Sequence, residues 1–247
     1  MFEGKSVVVT GAASGIGRAT AVHLAELGAR VVVGDVDLDG GARTVATIRD
    51  AGGQASFVRC DVTEQASVEG MVAHAVQTYG TLHLAVNNAG IAHHPMDLHE
   101  LPVEEFDKVL AVDLRGTFLC LRAELPVMLE NGGGVIVNMA SNAGVKNAPD
   151  MAGYTAAKHG VVGLTKNAAL QYARRNIRIN AICPGTVLTE GLAGYPEEVQ
   201  AEWRTLVPMG RLGNPAEIAR AIAFLLGEQS SFVTGAMLLA DGGLMYE

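Results

Sequence analysis

Residues 7–17 have the sequence VVVTGAASGIG, and this segment indicates the fold more clearly than any other. Its three consecutive valines predict a short buried strand, because β-branched side chains pack well in a sheet that is covered on both faces. Glycine at positions 11, 15 and 17 then permits a tight turn, and apolar residues at helical spacing follow from Ala19 to Leu27. A strand, a glycine-rich turn and a helix in direct succession are typical of the first unit of a parallel sheet.

The same alternation continues along the chain. Further short apolar runs predict strands at residues 31–33, 55–59, 82–86, 135–137, 177–183 and 237–239. Segments of helical period lie between them, including one at residues 104–129 and one at residues 154–174. The pattern predicts a single α/β domain over residues 1–247, a doubly wound parallel sheet of about seven strands flanked by helices. Only residues 187–213 depart from the rhythm, and we interpret them as a substrate-lid insertion.

The composition excludes several classes of protein. With 18 basic and 26 acidic side chains the net charge is −8, which argues against nucleic acid or an anionic membrane surface as a partner. The N-terminal residues contain no signal-peptide pattern, and no apolar run is long enough to span a membrane. The three cysteines are odd in number and widely spaced, which favours reduced thiols over a disulfide framework. We therefore expect a soluble cytoplasmic protein.

The glycine-rich turn predicts a dinucleotide site, because backbone N–H groups and the positive end of the following helix can face a pyrophosphate there. The spacing alone is weak evidence, since a tight turn without a ligand has the same requirement. Asp35 strengthens the prediction: it follows Gly17 by 18 residues, where a carboxylate can accept hydrogen bonds from the ribose hydroxyls of NAD. No Lys or Arg stands at positions 12–14 or 36 to hold the 2′-phosphate of NADP, so NAD is favoured. The alternative role for Asp35 is that of a solvated turn residue.

Three further side chains predict the chemistry. Tyr154 and Lys158 lie four residues apart, hence on one face of a helix. A phenol has an ordinary pKa of about 10, but a nearby ammonium stabilises the phenolate. Tyr154 is therefore a candidate general base for alcohol oxidation and a candidate acid for the reverse reaction. Ser141, after the fifth predicted strand, is a candidate hydrogen-bond donor to the substrate oxygen. An amphipathic helix with a solvent-reaching lysine would explain the pair but not all three residues.

Together these motifs resemble the short-chain dehydrogenase/reductase family over essentially the whole chain. Residues 10–17 are similar to the family's T-G-x-x-x-G-x-G, residues 87–90 to its N-N-A-G, the Ser, Tyr and Lys to its catalytic residues, and residues 184–185 to its P-G. The resemblance implies seven parallel strands, a homotetramer, and a lysine that also holds the nicotinamide ribose. With the turn and its acid, it gives these cofactor-binding candidates: Gly11, Ser14, Gly15, Ile16, Gly17, Asp35, Asp61, Val62, Asn88, Ala89, Gly90, Tyr154, Lys158, Pro184, Gly185, Val187 and Thr189.

One position departs from the family pattern. The family has an Asn in the run V-N-L-x-G of the fourth long helix, and its backbone carbonyl holds a water of the proton relay. Residues 112–116 here read VDLRG. Asp113 keeps the carbonyl but loses the side-chain donor, and its charge would partly offset the effect of Lys158 on the tyrosine. We expect the relay to run through the carbonyl, so that Asp113 is a fourth candidate catalytic residue.

The sequence thus predicts an NAD-dependent oxidoreductase that interconverts a small-molecule secondary alcohol and a ketone. No metal is expected, because His93, His94 and His99 follow the N-N-A-G run on a loop, where adjacent histidines rarely bind one ion. One alternative is an NADPH-dependent reductase of a carrier-bound 3-oxoacyl or bulky ketone, for which Arg204 and Arg211 are the candidate cations. The other is a non-catalytic dinucleotide-sensing protein, which the presence of the Ser, Tyr and Lys residues disfavours.

Overall fold

The computed structural model describes residues 1–246 and confirms a seven-stranded parallel sheet. The strands are β1 (Ser6–Thr10), β2 (Arg30–Asp35), β3 (Gln54–Arg59), β4 (Leu84–Asn87), β5 (Gly134–Met139), β6 (Ile177–Pro184) and β7 (Met237–Ala240). Their order is β3-β2-β1-β4-β5-β6-β7, with parallel pairing throughout. The direction of winding reverses between β1 and β4. In sheets of this kind ligands bind beyond the carboxyl ends of the strands at that reversal.

Helices cover both faces of the sheet. They are α1 (Gly15–Glu26), α2 (Leu38–Asp50), α3 (Gln65–Tyr79), α4 (Val103–Val109), α5 (Gly116–Glu130), α6 (Ala152–Tyr172), α7 (Glu190–Ala193), α8 (Glu197–Leu206) and α9 (Pro215–Leu226). Val7 and Val9 of β1 belong to a hydrophobic cluster with residues of α1, α2 and α9, whereas Val8 belongs to a cluster with residues of α3, α5 and α6. The valine run is therefore buried from both sides, as its composition predicts. Within residues 1–246, no helix has both the length and the apolarity that crossing a bilayer requires.

The structure corrects three sequence-based boundaries. Strand β4 starts two residues later than predicted and includes Asn87, whose polar side chain has partners inside the protein. The helix predicted at residues 104–129 consists of α4 and α5 joined by a π-helical turn, Leu110–Arg115, which apolar spacing does not reveal. Residues 187–213 contain the short helices α7 and α8, and a parallel bridge between Val187 and Gly213 closes the segment at its base.

Buried polar side chains of β4 and β5 form hydrogen bonds with each other and with side chains of α5 and α6. Asn87 donates from Nδ2 to Glu124 Oε2 (3.1 Å) and to Asn138 Oδ1 (3.0 Å), and Asn138 donates to Thr165 Oγ1 (2.9 Å). Burial raises the pKa of the Glu124 carboxyl to about 8, and the hydrogen bond from Asn87 offsets only part of this effect. Glu124 is therefore mostly protonated at neutral pH.

The raised pKa predicts how stability depends on pH. Because the folded state holds the Glu124 proton more tightly than the unfolded chain, this contribution is complete below the ordinary value of 4.5 and is lost as pH rises through about 8. We expect the melting temperature of the wild type, relative to Glu124→Gln, to fall by several degrees between pH 5 and pH 9, as calorimetry would measure. Glu130→Gln, an exposed change on the same helix, is the control. A difference between wild type and Glu124→Gln that is constant with pH would contradict the expectation.

Candidate active site

The glycine-rich turn joins β1 to α1 and is fixed by the loop after β4. Gly11 has a φ of +64°, in the left-handed region that favours glycine. Asn88 donates from Nδ2 to the carbonyl oxygens of Thr10 (2.9 Å) and Gly11 (3.1 Å). A Cβ on Gly17 would stand 2.0 Å from the Gly11 carbonyl oxygen, so the start of the helix packs directly on the turn. This packing requires glycine and leaves the turn without side chains on that side.

Asp35 ends β2 beside this turn. Its Oδ2 accepts a hydrogen bond from the Ala13 N–H (2.8 Å), and its Oδ1 accepts one from the Asp37 N–H (3.0 Å). The carboxylate thus ties the turn to the second strand, a role that the sequence did not indicate. After β3, Asp61 accepts hydrogen bonds from the Thr63 hydroxyl (2.7 Å) and N–H (3.0 Å), which hold the pKa of the Asp61 carboxyl below its ordinary value.

The segment after β6 also reaches the glycine-rich turn. Thr189 lies against Gly15, where a Cβ would stand 3.2 Å from the Thr189 methyl carbon. The next residue, Glu190, accepts a hydrogen bond from the Gly15 N–H (2.7 Å) and forms an ion pair with Arg18 (2.8 Å). Neither Glu190 nor Arg18 was predicted from the sequence. These contacts anchor the start of the 187–213 segment on the turn.

The other predicted cofactor residues lie at the same edge of the sheet. Each follows or ends a parallel strand, and the carboxyl ends of such strands share one edge. They are Ser14 in the turn, Ile16 at the start of α1, Val62 after β3, Ala89 and Gly90 after β4, Pro184 at the end of β6, and Gly185 and Val187 beyond it.

The candidate catalytic residues come from β5 and α6. Ser141 follows β5, is 7 % exposed, and its Oγ accepts a hydrogen bond from the Ala143 N–H (3.1 Å). Tyr154 and Lys158 lie one turn apart near the start of α6, with Lys158 Nζ 5.4 Å from the centre of the Tyr154 ring. Lys158 also donates to the carbonyl oxygen of Met139 at the end of β5 (3.1 Å). The lysine therefore links the helix that bears the tyrosine to the strand that precedes the serine.

Lys158 has a second buried partner. Its Nζ lies 2.9 Å from Oδ2 of Asp113, at ion-pair distance, and the two side chains are 3 % and 0 % exposed. Burial alone would lower the pKa of the Lys158 ammonium, but the charges of Tyr154 and Asp113 outweigh burial and raise it. The Asp113 carbonyl, expected to take part in the relay, accepts a hydrogen bond from the Thr117 hydroxyl (2.7 Å).

The histidine loop packs against the start of α6. His93 is buried, its Nε2 accepts a hydrogen bond from the Gly153 N–H (3.2 Å), and its Nδ1 lies 2.7 Å from the His94 carbonyl oxygen. This pairing places the proton on Nδ1 and gives His93 a structural role next to Tyr154. Residues 1–246 contain no group of three or more His, Cys, Asp or Glu side chains arranged to hold a metal ion.

Comparison with known proteins identifies relatives along the whole chain. A family model described as enoyl-(acyl carrier protein) reductase matches residues 11–245. The chain is 46 % identical to cis-4-hydroxycyclohexanecarboxylate dehydrogenase of Sinomonas cyclohexanicum, over 98 % of this chain and 97 % of the relative. It is 44 % identical to cyclohexanol dehydrogenase of Acinetobacter sp. (strain SE19), over 98 % and 95 %.

A solved structure has the same fold with bound cofactor. The 3-ketoacyl-(acyl-carrier-protein) reductase from Brucella melitensis complexed with NADH matches with a TM-score of 0.92 and 37 % identity, over 99 % of this chain and 100 % of that one. Since the sheet, the glycine-rich turn and full-length likeness all agree, the chain belongs to the short-chain dehydrogenase/reductase family and is an NAD(P)-dependent oxidoreductase of the secondary alcohol–ketone type.

Proposed function

We propose that this protein is an NAD-dependent dehydrogenase of cyclic secondary alcohols in which Tyr154 transfers the proton. The observation that carries the proposal is the buried lysine that joins Tyr154, on α6, to the end of β5 just before Ser141. This arrangement lies at the carboxyl edge of the sheet, on the same side as the glycine-rich turn. A proton-transfer group and a dinucleotide cradle at one edge support hydride transfer to or from a nicotinamide.

The residues of the turn fit a dinucleotide. Glycine at positions 11 and 17 lets the turn pack directly on the start of α1, where N–H groups can face a pyrophosphate. The pyrophosphate would replace Glu190 as the acceptor of the Gly15 N–H. Asp35 stands at the end of β2, where its carboxylate suits ribose hydroxyls and opposes a 2′-phosphate. Bound NAD would supply the hydride acceptor for alcohol oxidation. The residues that would hold it are the seventeen named above from the sequence.

Residues of the protein transfer the proton of the substrate hydroxyl. The substrate hydroxyl lies between the Ser141 hydroxyl and the Tyr154 phenol, and Tyr154 accepts its proton as the carbonyl forms. Ser141 donates a hydrogen bond to the substrate oxygen, on which negative charge develops during the reaction. Lys158, held by Met139 and Asp113, stabilises the phenolate form of Tyr154 and orients the nicotinamide ribose.

The relatives support a six-membered ring as the substrate skeleton. Two proteins more than 40 % identical to this chain are named for cyclohexanol and for cis-4-hydroxycyclohexanecarboxylate. A ring alcohol presents its hydroxyl from a compact apolar body, and small-molecule sites combine a mostly apolar lining with a few polar groups that fix orientation.

A substrate panel tests the proposed function. Cyclohexanol, 4-hydroxycyclohexanecarboxylate, a linear secondary alcohol of equal carbon number and a 3-hydroxyacyl thioester would each be oxidised with NAD and with NADP. We expect kcat/KM for the ring alcohols with NAD to exceed that for the linear alcohol at least tenfold, because the flexible chain loses more conformational freedom on binding. Higher kcat/KM for the thioester would favour the carrier-bound alternative instead.

The two arginines that would bind a carrier-bound substrate are both paired with carboxylates. Arg204 forms an ion pair with Glu197 (2.6 Å), and Arg211 forms one with Glu217 (2.8 Å). A carrier protein or its phosphate-bearing arm would have to compete with these carboxylates for the two cations. This pairing supports a small uncharged or singly charged substrate.

The same proposal includes a homotetramer in the cytoplasm, as the family likeness implies. Several large apolar side chains are exposed on the isolated chain, which supports their burial against further copies. They are Phe118 on α5, Leu170 on α6, Phe224 on α9, and Phe232. The three cysteines are free thiols, consistent with a reducing compartment.

A further inference from the structure

Asp113 lies inside the protein because of the π-helical turn between α4 and α5. This turn places its fully buried side chain next to the loop after β4, where Oδ1 accepts a hydrogen bond from the Ile91 N–H (2.8 Å). Its other oxygen, Oδ2, is the one that lies 2.9 Å from Lys158 Nζ. Glycine at position 90 leaves room for the pair, since a Cβ there would stand 3.1 Å from Asp113 Oδ2 and 3.2 Å from Lys158 Nζ.

Few other charges act on this lysine. From its own helix it faces Tyr154, and from the π-helical turn it faces Asp113. From β6 it faces Cys183, whose thiol has a pKa raised to about 11 by burial and is therefore uncharged near neutral pH. On the histidine loop, His93 is hydrogen-bonded through both ring nitrogens and contacts the backbone of Gly153. Asp113 is thus the carboxylate in direct contact with the cation that stabilises the phenolate.

We propose that Asp113 is a positioning residue that sets the pH range of the reaction. By pairing with Lys158, it weakens the electrostatic stabilisation that Lys158 gives to the Tyr154 phenolate. This inference rests on the proposed role of Tyr154 as the proton acceptor. A lysine paired with a carboxylate exerts a weaker attraction on the phenolate than a lysine paired with a neutral amide. Alcohol oxidation, which requires the phenolate, therefore begins at higher pH than it would with Asn at this position.

The variant Asp113→Asn tests this directly, because the amide oxygen can still accept the hydrogen bond from Ile91 while the charge is removed. We expect the midpoint of the pH profile of kcat/KM for cyclohexanol oxidation to move down by about one pH unit. Oxidation at a pH below the midpoint should then rise about tenfold, whereas the plateau at high pH stays within about twofold. For cyclohexanone reduction, which requires the protonated phenol, the fall of activity at high pH should begin about one unit earlier.

The expected gain in oxidation and loss in high-pH reduction distinguish an electrostatic role of Asp113 from a structural one. A purely structural role for Asp113 would lower both directions at every pH and leave the midpoints in place, and that result would overturn the proposal. Asp107→Asn, an exposed change on α4, controls for the loss of one carboxylate on the same helical segment and should leave both profiles unchanged. If Asp113→Asn folds poorly, Asp113→Ser also removes the charge and should lower the midpoint of oxidation, and an unchanged midpoint in that variant would likewise overturn the proposal. If Tyr154→Phe were fully active, the proposed function would fail first, whatever the result for Asp113.

Discussion

Tyr154→Phe is expected to lower kcat for alcohol oxidation by about 10²- to 10⁴-fold, the range typical of losing a positioned acid–base group. The substitution removes one oxygen and keeps the aromatic ring that lies beside Lys158. Packing near the start of α6 is therefore preserved, and only the proton acceptor is lost. Steady-state rates followed through nicotinamide absorbance would measure the loss of kcat, and calorimetry would measure the affinity for NAD.

The binding measurement makes the result specific. NAD affinity should stay within about threefold of the wild type, since Lys158, Asp35 and the glycine-rich turn are unchanged. Tyr172→Phe is the matched control, because Tyr172 lies at the far end of the same helix with its ring against Arg175. Turnover by Tyr154→Phe close to the wild-type rate would show that another group takes the proton.

Asp35→Ala is expected to narrow the preference for NAD over NADP by about ten- to a hundredfold in kcat/KM. In the proposed complex, the carboxylate at the end of β2 would face the 2′-phosphate of NADP, and a repulsion of roughly 1–3 kcal/mol between such charges corresponds to that range. The variant also loses the hydrogen bond that Asp35 Oδ2 accepts from Ala13 (2.8 Å). Absolute activity with NAD should therefore fall as well.

A companion variant separates these two effects. Asp35→Asn removes the charge but retains an oxygen for the Ala13 N–H, so it should narrow the preference with a smaller loss of NAD activity. Asp39→Asn, an exposed acidic residue in the first turn of α2, should leave the ratio of the two cofactors unchanged. An unaltered preference in both Asp35 variants would mean that another group reads the ribose.

The sequence predicts the sheet well because the signals are local. Strands β1, β2 and β5 each contain three consecutive β-branched residues, at positions 7–9, 31–33 and 135–137, and such runs suit a sheet that is covered on both faces. The need for glycine at position 17 is also a local signal, because the close approach of this residue to Gly11 leaves no room for a side chain there. The resemblance to the family adds the prediction that Ser141, Tyr154 and Lys158 stand at the catalytic positions.

The missed features depend on contacts between distant residues. Glu190 is 175 positions from Gly15, and nothing in its own neighbourhood indicates that it meets the turn. The strand predicted from the sequence ends at residue 86, whereas β4 includes Asn87, whose Nδ2 donates to Glu124 and Asn138 inside the protein. The sequence showed that Asp113 departs from the family, whereas its direct pairing with Lys158 depends on the π-helical turn.

The stretch from Asn87 to Ile91 has a consequence for engineering. Within five consecutive residues, Asn88 holds the glycine-rich turn, Gly90 leaves space for the ion pair, and Ile91 binds Asp113. One short piece of backbone thus contacts both the glycine-rich turn, where we propose that the cofactor binds, and the pair of Asp113 and Lys158 beside the proposed proton acceptor. Libraries that seek new substrates are best directed to residues 187–213, because mutations in the 87–91 stretch would disturb both halves of the reaction at once.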